Sequence, residues 1–192
     1  GLAPLQILSN TGTAQDVINF GLVDNCAAGF RLANTFSDTT YGTAYAPNIL
    51  GGGTNVLVSD SGFEGTVIRI SNNSVQTEVD ACSGATLTIG AGENWDSFVI
   101  TTISRGFAGL ETLSGIPGTV GAAPIQNIGA YGHEVSEFIT RVRTYDSDAK
   151  AIKTFTNSEC EFEYRNSIFK RTPGRYIVLS VQFQIRRGEI ST

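Results

Sequence analysis

The sequence has few charged residues, few cysteines, no methionine and no long apolar run. Of its 192 residues, 16% are charged and 41% are hydrophobic, which predicts a globular chain with a core. The 13 Lys and Arg residues form no run and are outnumbered by 18 Asp and Glu residues, which argues against a nucleic-acid-binding surface. No apolar segment approaches the roughly 18–20 residues of a bilayer-spanning helix. Because the sequence lacks an initiator methionine, we expect it to be a fragment of a longer chain.

The three cysteines, Cys26, Cys82 and Cys160, are isolated and odd in number. They show no CxxC spacing of the kind that metal sites and dithiol sites use. We therefore expect buried thiols, no bound metal and a reducing cytoplasm. The single histidine, His133, is expected to be a solvent-facing turn residue, with a general base as the alternative.

Glycine is abundant, and one long glycine-rich stretch runs from Gly109 to Glu134. The stretch is apolar and nearly uncharged, unlike a solvated linker. Pro117 and Pro124 exclude a buried strand. Glycine lets the main chain approach a ligand closely, and the amides of Gln126 and Asn127 both donate and accept hydrogen bonds. The stretch therefore predicts a binding loop for a large, flat ligand, with a tight structural loop as the alternative.

A shorter run, Gly51-Gly52-Gly53, is followed by Thr54 and Asn55 and lies between two apolar runs. Consecutive glycine N–H groups can turn toward one anion, and a threonine adds a hydroxyl donor. The run has neither the lysine of a Walker loop nor the spacing of the dinucleotide fingerprint. It is a candidate phosphate-binding loop, and a simple tight turn is the alternative.

The remaining pattern predicts an α+β fold with mostly antiparallel strands. The predicted elements are a strand and a helix within Ala14–Phe36, a hairpin of Val75–Val79 and Ala85–Gly90, a helix from Gly92 to Arg105 capped by Asn94 or Asp96, and alternating strands at Ser136–Tyr145, Ala149–Phe155 and Tyr176–Ile185. Residues 1–70 are interpreted as a small βαβ-like subdomain and residues 71–192 as a larger mixed one. The two glycine runs would lie where these pieces meet, since clefts between domains commonly hold cofactors.

Five ordered blocks cover most of the chain between Leu2 and Ile185. They are LGGGTNVLVSDSGFEGTVI (Leu50–Ile68), AGENW (Ala91–Trp95), GLE (Gly109–Glu111), IPGTVGAAPIQNIGAYG (Ile116–Gly132) and ECEFEYRNSIFK (Glu159–Lys170). Together they resemble the UDP-N-acetylenolpyruvoylglucosamine reductase family. The resemblance implies the vanillyl-alcohol-oxidase-type (PCMH-type) FAD-binding fold in two subdomains. It also implies non-covalent FAD, NADPH as co-substrate and a UDP-sugar enolpyruvyl ether as substrate, in a monomer of the bacterial cytoplasm that serves peptidoglycan synthesis.

The same resemblance assigns cofactor contacts to both glycine runs. The contacts to the FAD pyrophosphate fall on Gly51, Gly52, Gly53, Thr54, Asn55, Val56 and Leu57. The contacts on the flavin side fall on Ile116, Pro117, Gly121, Ala122, Ala123, Ile125, Gln126, Asn127, Gly129, Ala130 and Tyr131.

In the family, NADPH reduces the flavin, and a hydride then passes to the vinyl carbon of the substrate. An arginine and a glutamate stabilise the negative charge that develops, and a serine donates a proton. By resemblance the catalytic arginine is Arg165, which would also bind substrate together with Tyr164. A guanidinium is permanently charged and forks onto a carboxylate. The alternatives are a surface salt bridge for Arg165 and core packing for Tyr164. Core packing is also the alternative to a flavin contact for Tyr131.

The serine block Gly-Ser-Phe-Phe and the glutamate belong to a third, substrate-binding domain of the family, and this sequence contains neither. We therefore expect the chain by itself to bind FAD and to turn over poorly or not at all. Two other functions stay open. One is a non-catalytic FAD-binding module that needs a partner chain, and the other is a different FAD-dependent oxidoreductase of the same fold, such as a sugar oxidase.

Overall fold

The structure, a computed structural model, describes residues 5–9, 17–20, 48–56, 66–80 and 84–188. These residues form two sheets, a small hairpin and two α-helices, which agrees with the α+β fold expected from the sequence. The helix expected within 14–36 lies outside the described residues. No helix in the described part of the chain is long and apolar enough to cross a bilayer.

The first sheet has four strands in the order β2-β1-β4-β3. They are β1 (Leu5–Ser9), β2 (Val17–Phe20), β3 (Asn48–Leu50) and β4 (Thr66–Arg69). Strand β1 pairs antiparallel with β2 and β4, whereas β3 and β4 are parallel. The Gly51–Asn55 run therefore starts the crossover at the carboxyl end of β3. Ligands commonly bind at this end of parallel strands.

The second sheet has six strands, ordered β11-β10-β12-β6-β5, with β7 also paired to β12. They are β5 (Val75–Asp80), β6 (Gly84–Gly90), β7 (Phe107–Ala108), β10 (Ile139–Asp146), β11 (Ala151–Thr156) and β12 (Tyr176–Arg187). All the pairs are antiparallel, and the predicted β5–β6 hairpin is confirmed, with Val75 opposite Ile89. A separate two-stranded hairpin joins β8 (Gly129–Ala130) to β9 (His133–Glu134). The division of the chain at residue 70 stays a prediction.

Strand β12 departs from the strict alternation that its sequence suggests. Ile177 and Val178 are both buried, and Leu179 is only partly buried. The register with β10 shifts here, because Arg143 pairs with Ser180 while Thr144 pairs with Val178. A bulge of this kind inserts one residue into a strand and reverses the direction of the side chains beyond it.

Helix α1 (Trp95–Ser104) packs on this sheet and begins and ends near its predicted limits. The side chain of Asn94 caps it by accepting a hydrogen bond from the Ser97 N–H at 2.9 Å. Trp95 and Phe98 are buried against Phe183 of β12, with ring centroids 6.1 and 5.0 Å from that ring. Burying such aromatic groups contributes several kcal/mol each at roughly 25 cal/mol per Å². This core fixes the start of α1, which in turn positions the glycine-rich stretch.

Helix α2 (Ile168–Arg171) is a single turn that follows the YRNS block. Its cap is Ser167, and Phe169 is buried against Phe155 of β11 with ring centroids 5.1 Å apart. The packing of Phe169 anchors the segment that carries Arg165 to the second sheet.

Candidate functional site

The two glycine runs predicted to share a ligand lie against each other. A Cβ atom added to Gly51 would lie 2.9 Å from Thr119 Oγ1, and one added to Gly52 would lie 3.6 Å from Thr119 Cγ2. One added to Gly118 would lie 3.7 Å from Thr54 Oγ1. The first glycine segment (51–55) and the second glycine segment (109–134) therefore form one continuous surface, although about 65 residues separate their contacting parts.

The first glycine segment exposes its main chain. Gly52, Gly53, Thr54, Asn55 and Val56 are all exposed, and Gly53 has a φ of +73°. Only glycine adopts that conformation without strain from a side chain. A bend with exposed N–H groups, a hydroxyl and an amide suits an anion. Leu57, the last residue predicted to contact the FAD pyrophosphate, lies outside the described residues.

The second glycine segment is braced from behind by the block Ala91–Trp95. The N–H of Gly121 donates to Ala91 O at 2.8 Å, the N–H of Val120 donates to Glu93 O at 2.9 Å, and the N–H of Trp95 donates to Gly118 O at 3.1 Å. The buried indole of Trp95 also donates to Leu113 O at 2.8 Å. The sequence predicts a helix start and a cap in this block but does not predict its bracing role, which depends on contacts between distant residues.

A carboxylate at the start of α1 adds a further tie. Asp96 Oδ1 accepts hydrogen bonds from the Gly115 N–H at 2.7 Å and from the Ser114 hydroxyl at 2.8 Å. These two bonds, the first being the stronger influence, lower the pKa of Asp96 below its usual value. Asp96 therefore holds the glycine-rich stretch and is not the helix cap.

The predicted flavin-side residues differ in how much of them solvent can reach. Gly121, Ala123 and Asn127 are buried, whereas Ile116, Ala122, Gln126, Gly129 and Ala130 are partly exposed and Pro117, Ile125 and Tyr131 are exposed. A Cβ on Gly121 would lie 2.5 Å from the Cβ of Ala91, so packing alone requires glycine there. Both N–H donors of the Asn127 amide have protein acceptors, Glu134 Oε2 and Glu163 O. Neither N–H group of this side chain is free for FAD in the structure, and the predicted contact between the Asn127 amide and FAD stays a prediction.

Arg165 is held beside the end of the second glycine segment. It lies at the tip of a tight turn, with a φ of +54°, that Glu163 and Asn166 close through two main-chain hydrogen bonds. Its Nη2 donates to Gly129 O at 2.7 Å. In the described part of the chain no carboxylate pairs with Arg165, so the alternative of a surface salt bridge is not observed among those residues. An exposed guanidinium without a protein anion is available to an anionic ligand.

Lys170 and Arg171, the next two basic residues after Arg165, bind other groups of the protein. Lys170 Nζ donates to Arg165 O at 2.8 Å, and Arg171 pairs with Glu161 and Glu163. His133 is about half exposed and lies 3.0 Å from Glu137 Oε2, as a turn residue at the surface.

The predicted site also concentrates exposed apolar surface. Seven large hydrophobic side chains of the described residues are exposed, and four of them are predicted site residues: Val56, Ile125, Tyr131 and Tyr164. Tyr131 and Tyr164 are 88% and 83% exposed, so the core-packing alternative is wrong for both. Apolar groups left in water together are typical of a ligand-binding or partner-binding surface.

A family model described as FAD binding domain matches residues 44–154, a range that contains both glycine segments. The chain belongs to this FAD-binding family. The geometry fits the cofactor, because an anion-binding bend and an apolar, glycine-rich surface adjoin each other as a dinucleotide requires. FAD is the cofactor of this family, and the contact of the two glycine segments with it stays a prediction.

Two curated relatives carry the same name. The UDP-N-acetylenolpyruvoylglucosamine reductase of Cutibacterium acnes is 45% identical over 187 residues, which are 97% of this chain and 48% of that protein. The protein of the same name from Streptomyces coelicolor is 43% identical over 141 residues, 73% of this chain and 36% of that protein. The chain spans about half the length of the curated relatives it matches, or less. The family resemblance of the five sequence blocks is confirmed.

Solved structures agree on the fold. The UDP-N-acetylenolpyruvylglucosamine reductase of Thermus caldophilus superposes with a TM-score of 0.59 at 25% identity, covering 77% of this chain and 51% of that one. A cholesterol oxidase from Brevibacterium sterolicum gives a TM-score of 0.53 at 16% identity, covering 74% and 30%, and shows the fold alone. The expected PCMH-type FAD-binding fold is confirmed.

Proposed function

We propose that this chain is the FAD-binding part of an NADPH-dependent reductase that converts UDP-N-acetylglucosamine enolpyruvate to UDP-N-acetylmuramate for peptidoglycan synthesis. The observation that carries the proposal is the single surface formed by the two glycine segments, with the guanidinium of Arg165 beside Gly129 and, among the described residues, paired with no carboxylate. The names of the relatives from Cutibacterium acnes and Streptomyces coelicolor support the substrate class.

The first glycine segment would hold the pyrophosphate of FAD. Its exposed main-chain N–H groups, with the hydroxyl of Thr54 and the amide of Asn55, supply several donors to one anion. Gly51 is packed against Thr119, so a side chain there would push the two segments apart. The second segment, which is rich in glycine and apolar side chains, would cover the flavin. The exposed Ile125 and Tyr131 would flank the flavin.

Arg165 would bind the carboxylate of the enolpyruvyl group. Its hydrogen bond to Gly129 O uses one of five N–H donors, and the others can fork onto a carboxylate. A fixed positive charge stabilises the negative charge that develops during reduction, commonly a large part of catalysis. Tyr164, next to it and exposed, would contact the substrate.

FAD, when bound, supplies the hydride chemistry that joins NADPH oxidation to reduction of the substrate double bond. The role of this chain is to fix FAD and the arginine relative to each other. We place the protein in the bacterial cytoplasm as a monomer. The bacterial relatives and the nucleotide-linked substrate support this placement.

The first test is a titration of the purified chain with FAD, in which binding is monitored through the fluorescence of Trp95, the single tryptophan of the chain. Trp95 donates two hydrogen bonds to the second glycine segment, from its main-chain N–H to Gly118 O and from its indole to Leu113 O, so binding should change its emission. We expect one FAD per chain and a yellow protein after gel filtration. A chain that stays colourless would refute the proposal.

The second test separates the reductase from another oxidoreductase of the same fold. With FAD bound, the chain is mixed with NADPH and the enolpyruvyl substrate, or with a sugar or alcohol. We expect poor or no turnover of the chain alone, and turnover of the enolpyruvyl substrate when the remaining half of a relative is supplied. In that complex Arg165→Ala should abolish turnover and keep FAD bound. Full turnover by the chain alone, or oxidation of the sugar, would overturn this assignment.

A further inference from the structure

The Arg165 turn is tied to the second glycine segment at three points, and one buried amide lies at the centre. The Asn127 side chain is completely buried. Its Nδ2 donates to Glu134 Oε2 at 2.7 Å and to Glu163 O at 3.0 Å, and its Oδ1 accepts from the Ser136 N–H at 3.1 Å. One carboxamide thus joins the middle of the glycine segment, the hairpin at the end of that segment and the turn that carries Arg165.

The other two ties lie on either side of this amide. The Ser167 hydroxyl, fully buried, donates to Ile125 O at 2.6 Å. The Arg165 guanidinium donates to Gly129 O at 2.7 Å. Glu163 begins the turn and Ser167 directly follows Asn166, which ends it, so the chain is bonded to the glycine segment on both sides of the turn and the tip folds back onto that segment.

We propose that Asn127 is a positioning residue, which sets Arg165 relative to the flavin-binding segment through the Glu163 carbonyl. This inference rests on the proposed function for the role of Arg165, but the positioning itself concerns this chain's own contacts. Both Asn127 and Arg165 adopt positive φ, at +47° and +54°. Two such residues in one network need fixed partners, because each conformation is disfavoured for a residue with a side chain.

Asn127→Asp is the sharpest variant. It keeps the size and tolerates positive φ, but it replaces two N–H donors by an oxygen that faces Glu134 Oε2 and Glu163 O. Asn127→Asp combined with Glu134→Gln lets the amide at 134 donate to the new carboxylate and should recover part of the effect. Ser167→Ala, which removes the tie to Ile125 and the cap of α2 but leaves the Asn127 amide intact, is a second variant in case the first folds poorly.

The first readout is the rate at which trypsin cleaves the bond after Arg165, measured by mass spectrometry. This rate is divided by the rate of cleavage after Arg187, which serves as the internal reference. Loss of the buried hydrogen bonds should raise the ratio of the two rates about tenfold in Asn127→Asp, and less in Ser167→Ala. Asn157→Asp is the matched control, since that amide also donates two hydrogen bonds, in its case to Ser136 O and Ile139 O, both at 2.8 Å, and neither bond reaches the Arg165 turn. It should leave the ratio unchanged.

The second readout is the reduction potential of FAD bound to the chain. Arg165→Gln removes a positive charge and should lower the potential. Asn127→Gly, which tolerates the positive φ and adds no charge of its own, should lower it too, because the guanidinium is no longer held in place. The double variant should be no lower than Arg165→Gln alone, because Asn127 acts through Arg165.

An unchanged cleavage ratio, or one that rises equally in Asn157→Asp, would refute the positioning role. Additive shifts of the potential would show that Asn127 affects the flavin independently of Arg165 and would also overturn it. If the chain binds no FAD, the proposed function fails, while the cleavage ratio still decides whether the Asn127 amide holds the turn.

Discussion

Replacing Gly121 by alanine separates two reasons for glycine in the second glycine segment. The sequence predicts that Gly121 lets the main chain approach FAD, whereas the structure packs it against Ala91. An added Cβ would lie 2.5 Å from the Ala91 Cβ and 2.9 Å from the Ala91 O. Ordinary van der Waals contact begins at 3.4 Å, so Gly121 and Ala91 must move apart by 0.9 Å (3.4 minus 2.5).

That movement has an energetic consequence that can be worked out. The hydrogen bond from Gly121 N to Ala91 O, now 2.8 Å, would lengthen to about 3.7 Å, which is beyond hydrogen-bonding distance. One lost hydrogen bond contributes about 1 kcal/mol and overpacking adds about 1–3 kcal/mol. We therefore expect Gly121→Ala to lower the free energy of unfolding by about 2–4 kcal/mol. For a domain of this size that corresponds to a Tm lower by roughly 5–15 °C.

The assay is thermal unfolding by circular dichroism, with and without FAD. Gly188→Ala is the matched control, because a Cβ there would make an ordinary 3.6 Å contact with Ala108. Its Tm should change by less than about 2 °C. Since the clash is between protein segments, Gly121→Ala should show the loss without FAD. An unchanged Tm in the FAD-free chain, with weaker FAD binding alone, would refute the packing argument.

Three further predictions concern single groups. Burial, with a smaller effect of a neighbouring carboxylate, raises the pKa of the Cys160 thiol to about 12, so iodoacetamide at pH 8 should not label Cys160 until the chain unfolds, as read by mass spectrometry. Burial raises the pKa of Asp146, but hydrogen bonds from Arg175 and two main-chain N–H groups outweigh it and the net pKa is lowered. Asp146 therefore stabilises the fold above about pH 4, where the unfolded carboxyl is ionised, and this contribution is lost as the pH falls through its lower folded pKa. Asp146→Asn should destabilise the chain in urea at pH 7, and the difference from the unchanged chain should shrink as the pH is lowered below about 4. Trp95→Phe should lower the free energy of unfolding by about 1–3 kcal/mol in urea, since the buried Leu113 carbonyl loses its donor; an unchanged midpoint would contradict this.

Much of the fold followed from local sequence patterns. The β5–β6 hairpin, the Asn94 cap of α1 and the strand at Tyr176 were predicted because period-two alternation and capping depend on neighbouring residues. The bulge near Leu179 was not predicted, since only the register with β10 reveals it.

The sequence by itself determined that this chain has two main-chain surfaces with little side-chain bulk and one arginine in a YRNS block, because glycine content and a permanent charge are properties of the residues themselves. Only the tertiary structure decided that Gly51 touches Thr119, that Ala91 braces Gly121, and that the Asn127 amide faces inward to the Arg165 turn. These contacts join residues that are 30 to 68 positions apart, so they depend on how the sheets and α1 pack. The function of the site therefore depends on packing that no local pattern encodes.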